Sequence, residues 1–273
     1  MIEIRHGDRG PEVVAVQCLV NRSRPANVLN VDGVFLDRTR AAVIDLQRRS
    51  GINPPNGVVG YRTWQELARS PPVSVVNAVD IYDPAQGEAI PPSMRAAPGL
   101  IATGGLSNGV AHVLRQIGAR ARSSGPIALL RFFGHGRSGL MAISAGTGRA
   151  RDSEGQVIRD AQGHTIMDPY VRDRTAIATE TWDREMEMQM RALRSAFAPF
   201  GSAELHGCHV GQGEQGRNLL GQIAQAFGVP VSAGVQPQSF GPRTASRFEG
   251  PAVTVFPRGG TLQSWAAQFR VSR

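Results

Sequence analysis

Ala203-Glu204-Leu205-His206-Gly207-Cys208-His209-Val210-Gly211-Gln212-Gly213 is the stretch on which this 273-residue chain turns. A short apolar lead-in runs into Gly-Cys, and residues 214–227 then repeat their apolar positions at helical spacing. An apolar run that ends in Gly-Cys ahead of a helix predicts a thiol at the C-terminal edge of a sheet, where open α/β folds gather their active sites. The positive end of that helix favours thiolate. A second stretch has the same form. Ile127–Phe133 (IALLRFF) reads as a buried strand and ends in Gly134-His135-Gly136-Arg137-Ser138-Gly139. Two strands, each delivering a glycine-flanked reactive residue, predict a His135/Cys208 dyad.

The rest of the second half fits around those two strands. Residues 73–82 read as a strand, 91–105 as a loop, 108–122 as a helix and 140–144 as a short strand. Residues 145–181 carry Gly, Asp, Arg and Thr without periodicity, a long loop for a compact domain. Residues 182–200 predict a helix with Met186, Met190, Leu193 and Phe197 on one side. Strands at 229–235 and 252–256 and a helix at 261–269 follow. This alternation predicts an α/β domain over 73–273, with a mostly parallel sheet and helices on both faces.

Ahead of it, Ser70-Pro71-Pro72 punctuates a boundary, and residues 1–70 predict a small all-α unit of three helices. A repeat runs through this unit. Asp32-Gly33-Val34-Phe35 followed by Arg38-Thr39 matches Asn56-Gly57-Val58-Val59 followed by Arg62-Thr63, each a turn-former, an apolar pair and a helix start. These residues, with Gly7-Asp8-Arg9-Gly10, Gln47 and Tyr61-Arg62-Thr63-Trp64, resemble the peptidoglycan-binding domain found beside many cell-wall hydrolases. The resemblance implies peptidoglycan or cell-wall glycan as the partner of this module.

In the larger domain, Phe132-Phe133-Gly134-His135-Gly136 and Cys208-His209-Val210-Gly211 resemble the two motifs of the caspase and metacaspase cysteine peptidases. The resemblance implies a caspase-like sheet, His135 and Cys208 as the catalytic dyad, and a protein or peptide substrate. Metacaspases place an acidic residue two before the cysteine, and here that position is His206. His206-Gly207-Cys208 also resembles the Ser-His-Gly-Cys motif of L,D-transpeptidases, which act on peptidoglycan stem peptides; their usual arginine two past the cysteine is Val210 here. A third reading is a non-catalytic wall-binding or scaffolding protein.

The chemistry of a dyad needs a thiolate, an imidazole to take and return its proton, and donors for an oxyanion. Glycines 134, 136 and 207 allow close approach, and the Gly136 and Cys208 N–H groups are the natural donors. His206 and His209 are candidates for the substrate pocket. No His-x-x-x-His or Cys-x-x-Cys spacing calls for a metal, and nothing in the sequence calls for a cofactor. Cys18 lies within an apolar helix face and reads as a small buried hydrophobe.

The net charge is +8, with arginine as the only Lys/Arg type present. The arginines are scattered without interleaved aromatics, which argues against nucleic acid. No apolar run of membrane-spanning length is present. The N-terminus lacks the apolar core of a secretory signal, so the expectation is a protein made in the cytoplasm that either stays there or reaches the envelope by a non-Sec route.

Overall fold

The computed structural model describes residues 3–23, 29–69, 72–80, 99–103, 109–144, 156, 159–165, 175–238 and 247–270. It contains an N-terminal helical module and a mostly parallel six-stranded sheet.

The module has helices α1 (Pro11–Ser23), α2 (Asp37–Arg49) and α3 (Tyr61–Leu67). Its repeat has a physical basis in two buried glutamines. Gln17 of α1 donates to Asp32 Oδ1 (2.8 Å), the Val34 carbonyl (3.1 Å) and Thr39 Oγ1 (3.2 Å), and accepts from the Asp32 and Gly33 N–H groups. Gln47 of α2 does the same one turn later. It donates to the Val58 carbonyl (2.8 Å) and Thr63 Oγ1 (3.0 Å), and accepts from the Gly57 N–H (2.8 Å). Each Asp/Asn-Gly turn is thus fastened to the preceding helix by one amide whose donors and acceptor are all used. Gly33 and Gly57 have φ of +72° and +76°, conformations that favour glycine.

The sheet runs in the order β2-β1-β3-β7-β8-β9. These are β1 (Ser74–Asp80), β2 (Leu100–Thr103), β3 (Ile127–Phe133), β7 (Phe197–His206), β8 (Val231–Gly234) and β9 (Ala252–Val255). All neighbours are parallel except β8 and β9. A small antiparallel sheet of β4 (Gly136–Arg137), β5 (Leu140–Ala142) and β6 (Ala176–Ala178) is inserted between β3 and β7. Helices α4 (Gly109–Ser124), α5 (Arg184–Ala192) and α6 (Gly213–Phe227) lie in the crossovers. Right-handed connections advancing the same way across a sheet fall on one side of it, so these three share a face. Leu130, Phe132, Ala203, Leu205, Val231 and Ala233 make that face apolar and buried.

The opposite face is where the N-terminal module sits. Helix α1 packs on β7, and the terminal helix α7 (Leu262–Ala267) packs on α1. Every residue of α1 from Val13 to Val20 is buried, because one side of the helix faces its own module and the other faces the sheet. Arg22 lies over the Phe200 ring at 4.6 Å, and Phe269 meets that ring edge-on. One hydrophobic cluster runs from Ile4 through the sheet to Ala266.

Several boundaries differ from the sequence expectations. The helix expected over 182–200 ends at Ala192; a 3-10 turn follows, and β7 already begins at Phe197. Pro199 has no N–H and would clash inside a helix, whereas it is tolerated in this extended run. Residues 100–103, read as loop, form the edge strand β2, and β6 lies within the unassigned 145–181 segment. Residues 81–82, 104–105 and most of 145–174 lie outside the described residues.

Candidate active site

The pairing of β3 with β7 puts the turns that carry His135 and Cys208 at one edge of the sheet. Arg131 is level with Glu204 and Phe133 with His206. Side chains alternate along a strand, so Arg131 and Phe133 share a face, as do Glu204 and His206. The register ends at Phe133 and His206, and His135 and Cys208 stand two residues beyond it, on the turns that follow the two strands. Beyond the strands the two turns stay in contact. Gly134 N–H donates to the His206 carbonyl (3.4 Å), Gly139 N–H to the Val210 carbonyl (3.2 Å), and Ser138 Oγ to the Gln212 carbonyl (2.6 Å).

The glycines are what allow the two turns to touch. A Cβ on Gly136 would lie 2.5 Å from Val210 Cγ2 and 3.1 Å from the Cys208 carbonyl oxygen. One on Gly207 would lie 2.9 Å from Met141 Sδ and 3.1 Å from the Gly134 carbonyl oxygen. Ala142 N–H donates to the His135 carbonyl (2.9 Å), which makes Gly136 and Met141 a non-hydrogen-bonded pair of the β4/β5 ladder. The Gly136 N–H is therefore directed away from β5.

His135 is exposed and Cys208 half-buried. Cys208 Sγ accepts a hydrogen bond from the Gln238 N–H (3.3 Å) and lies 3.5 Å from the Gln238 carbonyl oxygen. His209 follows in a left-handed conformation (φ 59°), a strained setting for a residue with a side chain. Its Nδ1 donates to the Val235 carbonyl (3.2 Å), which fixes the proton on that nitrogen. Helix α6 begins at Gly213, beyond this turn, instead of directly after the cysteine. Cys18 is buried in α1, and burial pushes its thiol up to about 12.

His206, one of the two pocket candidates, sits in a closed stack. It is 3% exposed, with Phe133 on one side (centroids 4.7 Å apart) and Phe248 on the other (4.4 Å). Its Nε2 donates to Glu204 Oε2 at 2.8 Å. Burial pushes its ionisation down, only partly offset by Glu204, so the ring is neutral at neutral pH.

Sequence reading passed over the polar row behind this stack. Asn77, Arg131, Glu204, Ser232 and Thr254 align across five strands on the face toward the module. A charge inside the apolar run IALLRFF was the signal. Arg131 is 1% exposed, its guanidinium 5.3 Å from the Phe133 ring, and burial lowers it to about 10 with Glu204 acting the other way. A polar cavity of about 330 Å³ separates this row from the module and is lined by Asp8, Glu12, Glu204 and Arg247 among others. Arg247 bridges to Asp8 at 2.6 Å. Among the described residues, no group of three or more His, Cys, Asp or Glu side chains is placed to hold a metal ion.

Residues 9–67 match the family model described as a putative peptidoglycan binding domain. That match covers the module and supports its association with the cell wall. No curated protein and no solved structure matches the chain. Among the described residues, no helix is long and apolar enough to cross a membrane.

Proposed function

We propose that the chain is a cysteine peptidase directed to the cell envelope, with His135 and Cys208 as its dyad and the N-terminal module as its wall-binding part. The observation that supports this reading is the contact between the turns that follow β3 and β7, where a Cβ on Gly136 would lie 3.1 Å from the Cys208 carbonyl oxygen. The two motifs and the mostly parallel sheet agree with the resemblance to the caspase and metacaspase peptidases. The match of residues 9–67 supports the envelope address.

In this reading His135 takes the Cys208 thiol proton, and the sulfur attacks the scissile carbonyl. The oxyanion is met by the N–H groups of Gly136 and Cys208. The amine leaves with the proton carried by His135, giving a thioester. Water, deprotonated by the same imidazole, then releases the acid and regenerates the thiol. A neutral, buried His206 leaves no acidic group at the position where metacaspases read a basic side chain, so cleavage after Arg or Lys is not part of the proposal.

The test is labelling with a panel of electrophilic peptide probes. Wild type is expected to be labelled at Cys208 alone, and Cys208→Ala to be unlabelled with an unchanged circular dichroism spectrum. Cys18 stays unmodified because its thiol is buried and holds its proton. Labelling that survives Cys208→Ala, or is absent from wild type at every pH where the fold persists, overturns the reading. The transpeptidase alternative, whose resemblance implies a β-rich domain, is set apart by muropeptide analysis after incubation with sacculi.

A further inference from the structure

The segment after β8 takes no part in the chemistry above, yet the Cys208 turn rests against it along its length. Gly211 N–H donates to the Gly234 carbonyl (2.9 Å), His209 N–H to the Gln236 carbonyl (3.1 Å), and His209 Nδ1 to the Val235 carbonyl. The last contact is made on the sulfur itself, by the main chain of Gln238.

What fixes that main chain is the Gln238 side chain. It is 9% exposed and folds back into its own loop. Nε2 lies within donating distance of the carbonyls of Gln236 (3.1 Å), Pro237 (3.0 Å) and Glu249 (3.0 Å). Oε1 accepts the Glu249 N–H (2.9 Å). The two limbs of the β8–β9 connection, 236–238 and 249, are thus joined by one amide that uses both its donors and its acceptor. Gly234 makes room for it, since a Cβ there would lie 2.6 Å from Nε2. Residues 236–238 are stapled to Glu249 by this amide, so the Gln238 N–H is a fixed donor rather than an incidental one.

We propose that Gln238 is a positioning residue for Cys208: its side chain locks the β8–β9 connection, and the lock holds its main-chain N–H on the sulfur. Once the thiol proton leaves, a hydrogen bond to the thiolate is charge-assisted and stronger than one to the thiol, so the donor's position matters most as the sulfur reacts. The Gln238 carbonyl at 3.5 Å is an acceptor for the S–H proton in the resting state. Together they orient the resting thiol, and the N–H contact remains once the proton has left. This role rests on Cys208 being the nucleophile, but its test does not require peptide hydrolysis.

The experiment is alkylation of Cys208 by iodoacetamide in the full chain, followed by mass spectrometry across pH, for wild type, Gln238→Ala and Gln238→Met. The methionine fills the same volume without the amide's hydrogen bonds and serves if the alanine variant fails to fold. The expected result is alkylation about tenfold slower at pH 7, with a changed pH–rate profile and a thermal midpoint lowered by the loss of the buried amide's hydrogen bonds. A curve for the methionine variant that overlays wild type overturns the proposal. If wild type hydrolyses no peptide while the alkylation curve still depends on Gln238, the positioning role stands and the peptidase reading falls.

Discussion

The turns of the N-terminal module and the turns at the sheet edge are built in opposite ways. In the module, Gln17 and Gln47 each fasten an Asp/Asn-Gly turn less than twenty residues along the chain. At the sheet edge, the 134–139 turn is held by the 207–212 turn, more than seventy residues away, largely through backbone groups. A local fastening leaves a mark in the sequence because a particular side chain must stand at a particular distance. A backbone fastening leaves only glycines, which many kinds of turn require. The difference teaches that the fold of the smaller region is written in side chains and the site of the larger one in topology.

Breaking the module's fastening has the largest expected effect. Gln17→Ala strands the Asp32 and Gly33 N–H groups and lowers unfolding free energy by about 3 kcal/mol. Because α1 is shared with the sheet, urea unfolding followed by tryptophan fluorescence and by far-UV dichroism is expected to stay a single, coincident transition at a lower midpoint. A module that melts separately would show the two regions to be independent.

The sheet-edge turns are tested by Gly136→Ala. The added methyl meets Val210 and pushes the turns apart, and a displacement of about 1 Å at a reacting group costs on the order of 100-fold in rate. The expected outcome is a fall of about that size in Cys208-dependent peptide turnover, with a thermal midpoint lowered far less than by Gln17→Ala. Equal loss of both would make Gly136 a folding residue only.

The seam between the regions gives a smaller, pH-dependent effect. Burial pushes Glu12 up to about 8, reinforced by Glu204 and Asp8 and opposed by the backbone and Arg247. Its folded value lies above its ordinary one of 4.5, so the folded chain holds a proton that the unfolded chain releases. Stability is then fully present below about pH 4.5 and declines as pH rises through about 8. Wild type is expected to lose about 2 kcal/mol relative to Glu12→Gln between pH 5 and pH 8.5, read from urea midpoints. His206, held neutral by burial, contributes a loss in the other direction as pH falls below 6.5. Parallel pH curves for wild type and Glu12→Gln would remove Glu12 from the seam.

The three module helices, β3 and α6 were legible because hydrophobic period and glycine punctuation act over a few residues. The edge strand β2, the start of β7 at Phe197 and the strand β6 were not, since short strands take their conformation from the neighbours that pair with them. Arg131 was visible as a charge in an apolar run, but its place in a polar row could not be read without the register. Gln238 gave no signal at all: its bonds go to carbonyls of two limbs that meet only in the folded loop.

By itself, the sequence determined a helical module of peptidoglycan-binding type, an α/β partner domain, and the identity of the histidine and cysteine at its strand ends. Only the tertiary structure decided that β3 and β7 are neighbours in a register that levels Phe133 with His206. Only it decided that α1 serves both the module and the second face of the sheet. The physical reason is range: patterning fixes which side of an element is apolar, whereas strand order and the partner of an apolar face depend on contacts between residues far apart in the chain.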